Sequence, residues 1–340
     1  MAKQELRGYS PTLLEDVQRR LTEVDVSPNE GIGQHFLVNQ EAVDLLAQTV
    51  NQGATVIEVG CGVGHVTERL AERASRLHGI EIDRRYHPLL EKIMSARSNV
   101  FITYADALKT DFNRMLKDDN EGQIVASLPY HITEPFMHKV SPLKLASVSL
   151  VMGRRYADSI AASFNSGDFG RLSILTTTFF DVETLATIQR DGFFPIPRTD
   201  SAIVQLRPRD VREVGSNRKD AIFRHLFLTS RQNTTLRKGL KEGFDAFEQS
   251  RDGMGLSKEQ RNRKSRSNTR LRLKSIVDSM NRGEIDFSDR GGRDRGAFSK
   301  DISAVSRNAI GKLDIPHSVL DKPFSLLNNS ELRMLYKSLG

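Results

Sequence analysis

Short apolar runs and amphipathic helical patterns alternate along the first half of the chain. ATVIEVG (54–60) is an apolar, β-branched run that ends in glycine, and GHVTERLAERA (64–74) places its apolar residues at helical spacing. The alternation continues through RLHGIEID (76–83), HPLLEKIMSA (87–96), NVFITYAD (99–106), QIVASLPY (123–130) and LASVSLVM (145–152). Strands that alternate with helices of about ten residues are typical of βαβ units, so the pattern predicts an α/β fold with a parallel sheet.

The last part of the sheet is expected to depart from the alternation of single strands and helices. LSILTTTFFDVETLATIQ (172–189) predicts a helix that runs into a strand. After the proline-rich FFPIPRTD (193–200), the run SAIVQLRP (201–208) predicts a hairpin-like return.

Beyond residue 208 the pattern becomes helical and basic. KDAIFRHLFLTSRQNTTLRKGL (219–240) has helical periodicity with a basic face, and an Asn or Ser near NNSEL (328–332) is expected to cap the last helix. We therefore predict an N-terminal extension over residues 1–30, an α/β domain over 31–208 and a basic helical domain over 209–340.

The charge of the chain is uneven. Residues 209–340 contain 28 Lys and Arg against 17 Asp and Glu, a net charge of +11, whereas residues 1–208 contain 22 against 26, a net charge of −4. Basicity concentrated in one part favours a module that contacts a polyanion such as RNA, beside a near-neutral body. A solvated basic surface would explain the charge equally well.

Several classes of protein are excluded or disfavoured by composition. The single cysteine, Cys61, excludes an internal disulfide and a cysteine-rich metal site. His35, His131 and His138 fit no zinc spacing, so no metal is expected. No run approaches 18 apolar residues, and the polar N-terminus lacks the apolar core of a secretion signal. We therefore expect a cytoplasmic protein.

The motif EVGCGVG (58–64) places three glycines between a predicted strand and a predicted helix. Glycines let the backbone turn sharply and approach a ligand closely. Glu81 ends the next strand, where a carboxylate can accept hydrogen bonds from both ribose hydroxyls of an adenosine group. Glycines alone would also suit an ordinary tight turn, but with Glu81 they predict a site for NAD or S-adenosylmethionine.

Asp106 ends the third predicted strand in YADAL (104–108). A carboxylate there can accept a hydrogen bond from the amino group of an adenine. Aspartate is equally favoured as a helix N-cap, so the residue alone leaves both interpretations open.

The motif SLPY (127–130) ends the fourth predicted strand. The amine of adenine is a poor nucleophile because its lone pair is delocalised, and two acceptors aimed at its hydrogens would make the nitrogen more tetrahedral. The Ser127 side chain and the Leu128 carbonyl could be these acceptors, Pro129 would fix the carbonyl, and Tyr130 would stack on a splayed base. An ordinary strand-to-loop turn is the alternative, which the cofactor-binding context disfavours.

Together the motifs resemble the adenine-N6 rRNA methyltransferases, which include the small-subunit rRNA dimethyladenosine transferases and the macrolide-resistance methylases. The resemblance covers about 31–245 and roughly 310–340, and so many motifs in one order make it specific. Motifs of the family resemble GQHFLVN (33–39), EVGCGVGHVTERL (58–70), GIEID (79–83), ADAL (105–108), SLPYHITEP (127–135), FGRLSIL (169–175) and FFPIPRTDSAIVQLRP (193–208). The C-terminal domain of the small-subunit enzymes resembles FRHLFLTSRQNTTLRKGL (223–240) and KPFSLLNNSELRMLYKSL (322–339).

The resemblance implies a Rossmann-like sheet that binds S-adenosylmethionine, a smaller, mostly helical C-terminal domain and rRNA as substrate. By analogy it also implies a monomer. The residues implied at the cofactor are Gln34, His35, Leu37, Gly60, Gly62, Glu81, Ile82, Asp106 and Ser127. Those implied at the target adenine are Ser127, Leu128, Pro129 and Tyr130, with Phe194 as a second wall.

Four positions depart from the family pattern, and one of them is Gly153, which replaces a usual Gln. The family usually has Asn where Ser127, His35 and His131 stand. Serine is shorter and offers one oxygen, so the target or the number of methyl groups added can differ. Histidine can still donate or accept, depending on its tautomer.

The basic stretch RNRKSRSNTRLRLK (261–274) is the expected RNA-contacting element, since Lys and Arg clusters bind phosphates independently of sequence. It falls within an apparent insertion at about 249–300, which is rich in Arg, Gly and Ser. We expect this insertion to be flexible without RNA.

Methylation of adenine N6 in small-subunit rRNA, most simply as dimethylation, is the favoured function. The alternatives are a large-subunit rRNA adenine methylase of the macrolide-resistance type and an RNA-binding assembly or transcription factor with little catalysis. A NAD-dependent dehydrogenase is disfavoured, because SLPY (127–130) and GQHFL (33–37) have no role in one.

Overall fold

The computed structural model describes residues 4–116, 121–129, 132–209, 217–230, 234–254, 306 and 309–340, with the side chains of 249–254 excepted. These residues form two compact units. The first comprises residues 1–161 and 180–208, and the second comprises 162–179 and 209–340. The helix before residue 180 thus groups with the C-terminal helices.

An eight-stranded sheet forms the first unit, in the order β1-β8-β10-β7-β6-β3-β4-β5. Its strands are β1 (Gln4–Leu6), β3 (Thr55–Val59), β4 (Arg76–Glu81), β5 (Val100–Tyr104), β6 (Gln123–Ser127), β7 (Ser147–Gly153), β8 (Phe180–Ile188) and β10 (Ser201–Pro208). A separate antiparallel pair joins β2 (Phe36–Leu37) to β9 (Phe193–Phe194).

The strands β5, β4, β3, β6 and β7 are parallel, as the sequence predicts. β10 is antiparallel to both of its neighbours, β7 and β8. The strand order reverses beside β3, since β4 pairs on one side of it and β6 on the other. In an open α/β sheet, ligands bind at the carboxyl ends of the strands where the order reverses.

Helices cover the sheet and bury its strands on both faces. The helices of this unit are α1 (Pro11–Glu23), α2 (Gln40–Gln48), α3 (His65–Ala71), α4 (His87–Ala96), α5 (Phe112–Met115), α6 (Thr133–Val140) and α7 (Arg154–Ile160). Val56, Leu77 and Val125 point to the core that contains α1 to α4, while the alternate residues Ile57 and Ile124 are also fully buried. Two buried faces explain why these strands are near-continuous apolar runs.

The N-terminal residues, expected as an extension, take part in the first unit. β1 pairs in parallel with β8 and adds the edge strand of the sheet. α1 begins at Pro11, where its fixed φ suits the first helical turn, and buries Val17 and Leu21 in the core.

The second unit is helical, as predicted for the C-terminal domain. Its helices are α8 (Arg171–Phe179), α9 (Arg218–Thr229), α10 (Leu236–Met254), α11 (His317–Leu320) and α12 (Asn329–Leu339). Asn328 caps α12 in a reciprocal capping box with Glu331, which confirms the cap expected near NNSEL. Leu332, Leu335 and Leu339 on the same helix are buried in the core of this unit.

The expected RNA-contacting stretch at 261–274 lies outside the described residues. So does most of the expected insertion at about 249–300, of which only the end of α10 is described. Within the described part of the chain, no helix is long and apolar enough to cross a membrane.

Candidate cofactor and target-base site

The carboxyl ends of four parallel strands bring the predicted motifs to one edge of the sheet. The glycine loop follows β3, Glu81 ends β4, Asp106 follows β5 and Ser127 ends β6. Because β3 pairs with both β4 and β6, the glycine loop lies between Glu81 and Ser127. A Cβ atom built on Gly60 would lie 3.3 Å from the Ser127 carbonyl oxygen.

The glycine loop needs glycine for both conformation and space. Gly60 and Gly62 have φ angles of 86° and 53°, in the left-handed region. A Cβ atom on Gly62 would lie 2.9 Å from the Phe36 ring carbon Cε1, closer than side chains pack. A side chain at Gly62 would therefore clash with Phe36, so glycine is what lets the loop pack against this ring.

Glu81 is buried and held by backbone groups. Its Oε2 accepts a hydrogen bond from the Gly62 N–H at 2.8 Å, and its Oε1 accepts one from the Asp83 N–H at 2.8 Å. Burial raises the pKa of Glu81, which the backbone donors partly oppose. Each carboxylate oxygen keeps a second lone pair with which it can accept a ribose hydroxyl.

A second carboxyl, Glu58, lies beneath the same loop. Burial raises its pKa to about 7, while Thr67 and Cys61 act in the opposite direction. Its Oε2 atom has no hydrogen-bond partner in the described part of the chain. The loop therefore rests on a carboxyl group that is partly protonated near neutral pH.

Ile82 and Asp106 present different surfaces at this edge. The Ile82 side chain is 67% exposed, so it offers a free apolar face for a flat ring. Asp106 Oδ1 accepts from the Leu108 N–H at 2.9 Å, and Oδ2 lies 3.7 Å from Lys109 Nζ. Asp106 thus closes a turn and not a helix, since Asp111 is the N-cap of the next helix, and it keeps accepting capacity for an amine.

The segment GQHFL (33–37) contacts a different part of the site with each of its residues. A Cβ atom on Gly33 would lie 3.0 Å from Pro129 Cβ. Gln34 Nε2 donates to Asp83 Oδ2 at 2.8 Å, and Gln34 Oε1 accepts from the Asn29 N–H. The Gln34 side chain therefore bonds to protein groups at both ends, and its backbone N–H donates to the Asn29 carbonyl at 3.2 Å. The second N–H of Nε2 is the donor that it can still offer a cofactor.

His35, predicted at the cofactor, is bonded toward the target side instead. Its Nδ1 lies 2.8 Å from the Pro195 carbonyl oxygen, next to Phe194. Since a carbonyl only accepts, Nδ1 carries the proton in this contact. β2 and β9 reinforce the link, because Phe36 pairs with Phe194.

Phe36 and Leu37 complete the segment. The Phe36 ring packs edge-on against Tyr86 and His65, with ring centroids 6.1 and 6.5 Å apart. The Leu37 carbonyl accepts from His65 Nε2 at 2.8 Å. Burial lowers the pKa of His65 to about 4, so this imidazole is neutral and ties the segment to the start of α3.

The target side of the site carries few internal bonds. Ser127 is exposed at the end of β6, and its hydroxyl makes no hydrogen bond within the described residues. The Leu128 N–H donates to the Val151 carbonyl at 3.0 Å, while no described group donates to the Leu128 carbonyl. Phe194 is half-buried beside the core, and Tyr130 and His131 lie outside the described residues.

Sequence reasoning missed four residues that hold the site together: Arg20, Phe36, His65 and Asp83. Phe36 lies inside a quoted motif, and His65 directly follows the glycine loop. Neither carries a signal of its own, because each acts through a partner far away in the chain. Asp83 could have been noticed as the second acid in GIEID.

The geometry fits an adenosine-containing cofactor at the glycine loop. The loop offers a surface without side chains, Glu81 offers acceptors, and Ile82 offers an apolar face. A solved dimethyladenosine transferase from Plasmodium falciparum has the same fold, with a TM-score of 0.51 and 20% identity over 88% of this chain and 95% of that chain. The fold is thus Rossmann-like, and the site suits an adenosine-containing cofactor such as S-adenosylmethionine.

The chain belongs to the ribosomal RNA adenine dimethylase family, whose model matches residues 27–275. Ribosomal RNA small subunit methyltransferase A from Bacillus cereus (strain B4264) is 35% identical over 195 residues, which are 54% of this chain and 67% of that protein. The protein of the same name from Bacillus mycoides (strain KBAB4) is 36% identical with the same coverage. The predictions of fold class, of the cofactor and of an rRNA adenine methyltransferase are confirmed.

Proposed function

We propose that this protein adds two methyl groups to the N6 amine of an adenine in small-subunit rRNA. The observation that carries the proposal is the position of Ser127 and Leu128. An exposed hydroxyl and an unoccupied carbonyl follow β6 directly beside the glycine loop. Gly60 and the Ser127 carbonyl are almost in contact, so the methyl donor and the amine acceptors would share one space.

In this proposal the carboxyl edge of the sheet orients the cofactor. Glu81 accepts from the ribose hydroxyls, and Ile82 packs on the adenine ring. Asp106 accepts from the adenine amine with the capacity that its turn leaves free. Gly60 and Gly62 lie against the methionine part, where a side chain would collide with Phe36 or Ser127. S-adenosylmethionine supplies an activated methyl group when bound.

The target adenine has to leave its helix to reach this site. Ser127 Oγ and the Leu128 carbonyl accept from the two amine hydrogens, which turns the nitrogen lone pair toward the methyl group. Phe194 and Tyr130 would stack on the two faces of the base, each contact contributing roughly 1–3 kcal/mol. In each round the nitrogen would gain one bond to carbon and release one proton to solvent. S-adenosylmethionine, when bound, would supply the methyl group and leave as S-adenosylhomocysteine.

Catalysis then rests on position rather than on a catalytic base. Holding the amine in line with the methyl carbon removes most of the entropic barrier of a bimolecular reaction. The first methyl group replaces one of the two amine hydrogens, so the second round has only one hydrogen bond to offer. Ser127, which offers a single oxygen, would therefore set the ratio of monomethyladenosine to dimethyladenosine in the product.

The small subunit is favoured as the substrate by the relatives that carry its name, which are 35–36% identical. The helical second unit matches the C-terminal domain expected of such enzymes. The basic residues after position 208 would contact phosphates, with an affinity that falls as salt rises. We further propose a monomer that acts in the cytoplasm.

The test uses purified protein, labelled S-adenosylmethionine and ribosomal subunits from cells that lack this modification. The RNA is digested after the reaction and its nucleosides are separated. We expect labelled N6,N6-dimethyladenosine from small subunits alone. Label from large subunits alone would support the macrolide-resistance type instead. Cofactor binding without label in either subunit would support an RNA-binding factor with little catalysis.

A further inference from the structure

Arg20 connects the N-terminal helix to the glycine loop. Its Nη1 donates to the Val63 carbonyl oxygen at 3.2 Å, inside the motif EVGCGVG. Its Nη2 donates to Glu68 Oε2 on α3 at 2.6 Å, and its Nε donates to Asp16 Oδ2 at 2.7 Å. One guanidinium thus bonds to α1, to the loop and to the helix that follows the loop.

The contact with Val63 adds a charged side-chain donor to the hydrogen bonds of the loop. Backbone N–H groups of the loop already have partners, since Gly60 donates to Ile80, Gly62 to Glu81 and Gly64 to Cys61. The Val63 carbonyl points the other way and accepts from Arg20. A charged donor on this carbonyl fixes the peptide plane between Val63 and Gly64, and the loop cannot rotate there without losing that bond.

Arg20 is itself held firmly. Its side chain is 15% exposed, against 62% for its neighbour Arg19. Val17, one turn before Arg20, and Leu21, the residue after it, are buried in the core of the first unit. Both acidic partners of Arg20 are partly buried, so these ion pairs are less screened than pairs on the surface.

Only part of this arrangement lies within the residues that the family model matches. The match begins at residue 27, after α1 has ended at Glu23, so Arg20 and Asp16 precede it. Val63 and Glu68 lie inside it.

We propose that Arg20 is a positioning residue for the cofactor, which it never touches: it sets the conformation of the glycine loop through the Val63 carbonyl. The inference rests on the proposed use of S-adenosylmethionine at this loop. Arg20 would act on the affinity for the cofactor and on its KM. The rate at saturating cofactor depends on the target side, where Arg20 has no contact.

The test measures binding of S-adenosylmethionine and of its demethylated product, S-adenosylhomocysteine, by calorimetry. Arg20→Met keeps much of the aliphatic stem and removes all donors, and we expect about tenfold weaker binding of both molecules. Arg20→Lys keeps the charge but cannot make all three hydrogen bonds of the guanidinium, so we expect an affinity between those of Arg20→Met and wild type. Arg19→Met is the matched control, which removes a charge from the same helix and should bind within about twofold of wild type.

Steady-state kinetics distinguish a loss of cofactor affinity from a loss of catalytic rate. We expect Arg20→Met to raise KM for the cofactor about tenfold while kcat changes within about twofold. Should Arg20→Met fail to fold, Glu68→Gln removes one charge from the cluster more mildly, and we expect about threefold weaker binding.

Two results would overturn the inference while leaving the proposed function intact. One is wild-type affinity in folded Arg20→Met, or in Glu68→Gln if that variant has to be used. The other is an equal loss in Arg19→Met, which would indicate a general effect of charge. A wild-type protein that binds neither molecule would overturn the proposed function, and this inference with it.

Discussion

The two sides of the site are built in opposite ways. On the cofactor side, Glu81, Gln34 and Asp83 bond to one another or to the backbone, and each side chain has its position set by a neighbour. On the target side, the Ser127 hydroxyl and the Leu128 carbonyl are left without partners among the described residues. The side chains of the cofactor side are held by hydrogen bonds, whereas the target side presents acceptors that are not hydrogen-bonded by the described residues.

The difference fits what each side is proposed to bind. A small cofactor gains affinity from groups that are already in position, because no ordering has to accompany binding. A flipped base would arrive attached to a large RNA and would have to enter and leave within each catalytic cycle. Acceptors that the protein itself had satisfied would have to break a bond each time, which would cost free energy at the step that matters.

The largest expected effect comes from breaking the cofactor side at Glu81. Glu81→Ala removes two hydrogen bonds to a charged group and the proposed ribose contact, so we expect cofactor affinity to fall about 100-fold or more. Turnover at saturating cofactor should change much less. Calorimetry measures the affinity, and Glu91→Ala, an exposed acid on α4, is the control. An unchanged dissociation constant would remove Glu81 from the cofactor site.

Ser127→Ala should break the target side and leave the cofactor side intact. Losing one acceptor for the amine should lower kcat roughly 30-fold, with cofactor affinity unchanged. Ser75→Ala, also exposed in the first unit, serves as the control. Ser127→Asn restores the residue usual in the family and should raise the ratio of dimethyladenosine to monomethyladenosine. A kcat of Ser127→Ala equal to that of wild type would contradict the assignment.

His35→Ala tests whether His35 supports cofactor binding or the target side of the site. The sequence assigns His35 to the cofactor, whereas its bond to the Pro195 carbonyl assigns it to the wall that contains Phe194. We expect kcat to fall about threefold with unchanged cofactor affinity, because one hydrogen bond to a loop is lost. His87→Ala, at an exposed position of α4, is the control. Weaker cofactor binding with normal kcat would return His35 to the cofactor side.

The smallest expected effect is on the pH dependence of stability in the wild type. The pKa of Glu58 is raised to about 7 from 4.5, so the unfolded chain ionises first and stability is lost as pH rises through this range. The pKa of His65 is lowered to about 4 from 6.5, so stability is lost as pH falls from 6.5 toward 4. Between pH 4.5 and 6.5 the two trends oppose each other.

Glu58→Gln separates these trends. The gain in free energy of unfolding of this variant over wild type should grow from pH 4.5 to about 7 and then stay level. Urea unfolding at a series of pH values measures it, with Glu72→Gln on the surface as the reference. A difference that does not vary with pH would mean that Glu58 titrates normally.

The parallel sheet and its motifs could be predicted because they are local. Each strand from β3 to β6 is an apolar run that ends at, or is followed by, its own candidate functional residue, and the carboxyl ends of parallel strands lie at one edge of the sheet. Gly60, Glu81, Asp106 and Ser127 therefore come together at one edge, as their positions in the sequence require.

The ties across the site could not be predicted, because they depend on register between distant segments. Nothing in the sequence around Arg20 indicates a partner 43 residues away at Val63. The bond between His35 and Pro195 spans 160 residues and follows from the pairing of β2 with β9. The two-residue lengths of these strands are too short for periodicity to reveal.

The short pair formed by β2 and β9 has a consequence for synthesis of the chain. Phe36 leaves the ribosome early, but its partner Phe194 is made roughly 10–30 s later at typical rates of translation. β1 likewise cannot pair until β8 has been synthesised. The nascent protein can therefore form the central strands while the segment that closes its methyl-donor site has nowhere to dock, so it becomes competent to bind its cofactor only after translation has passed residue 195.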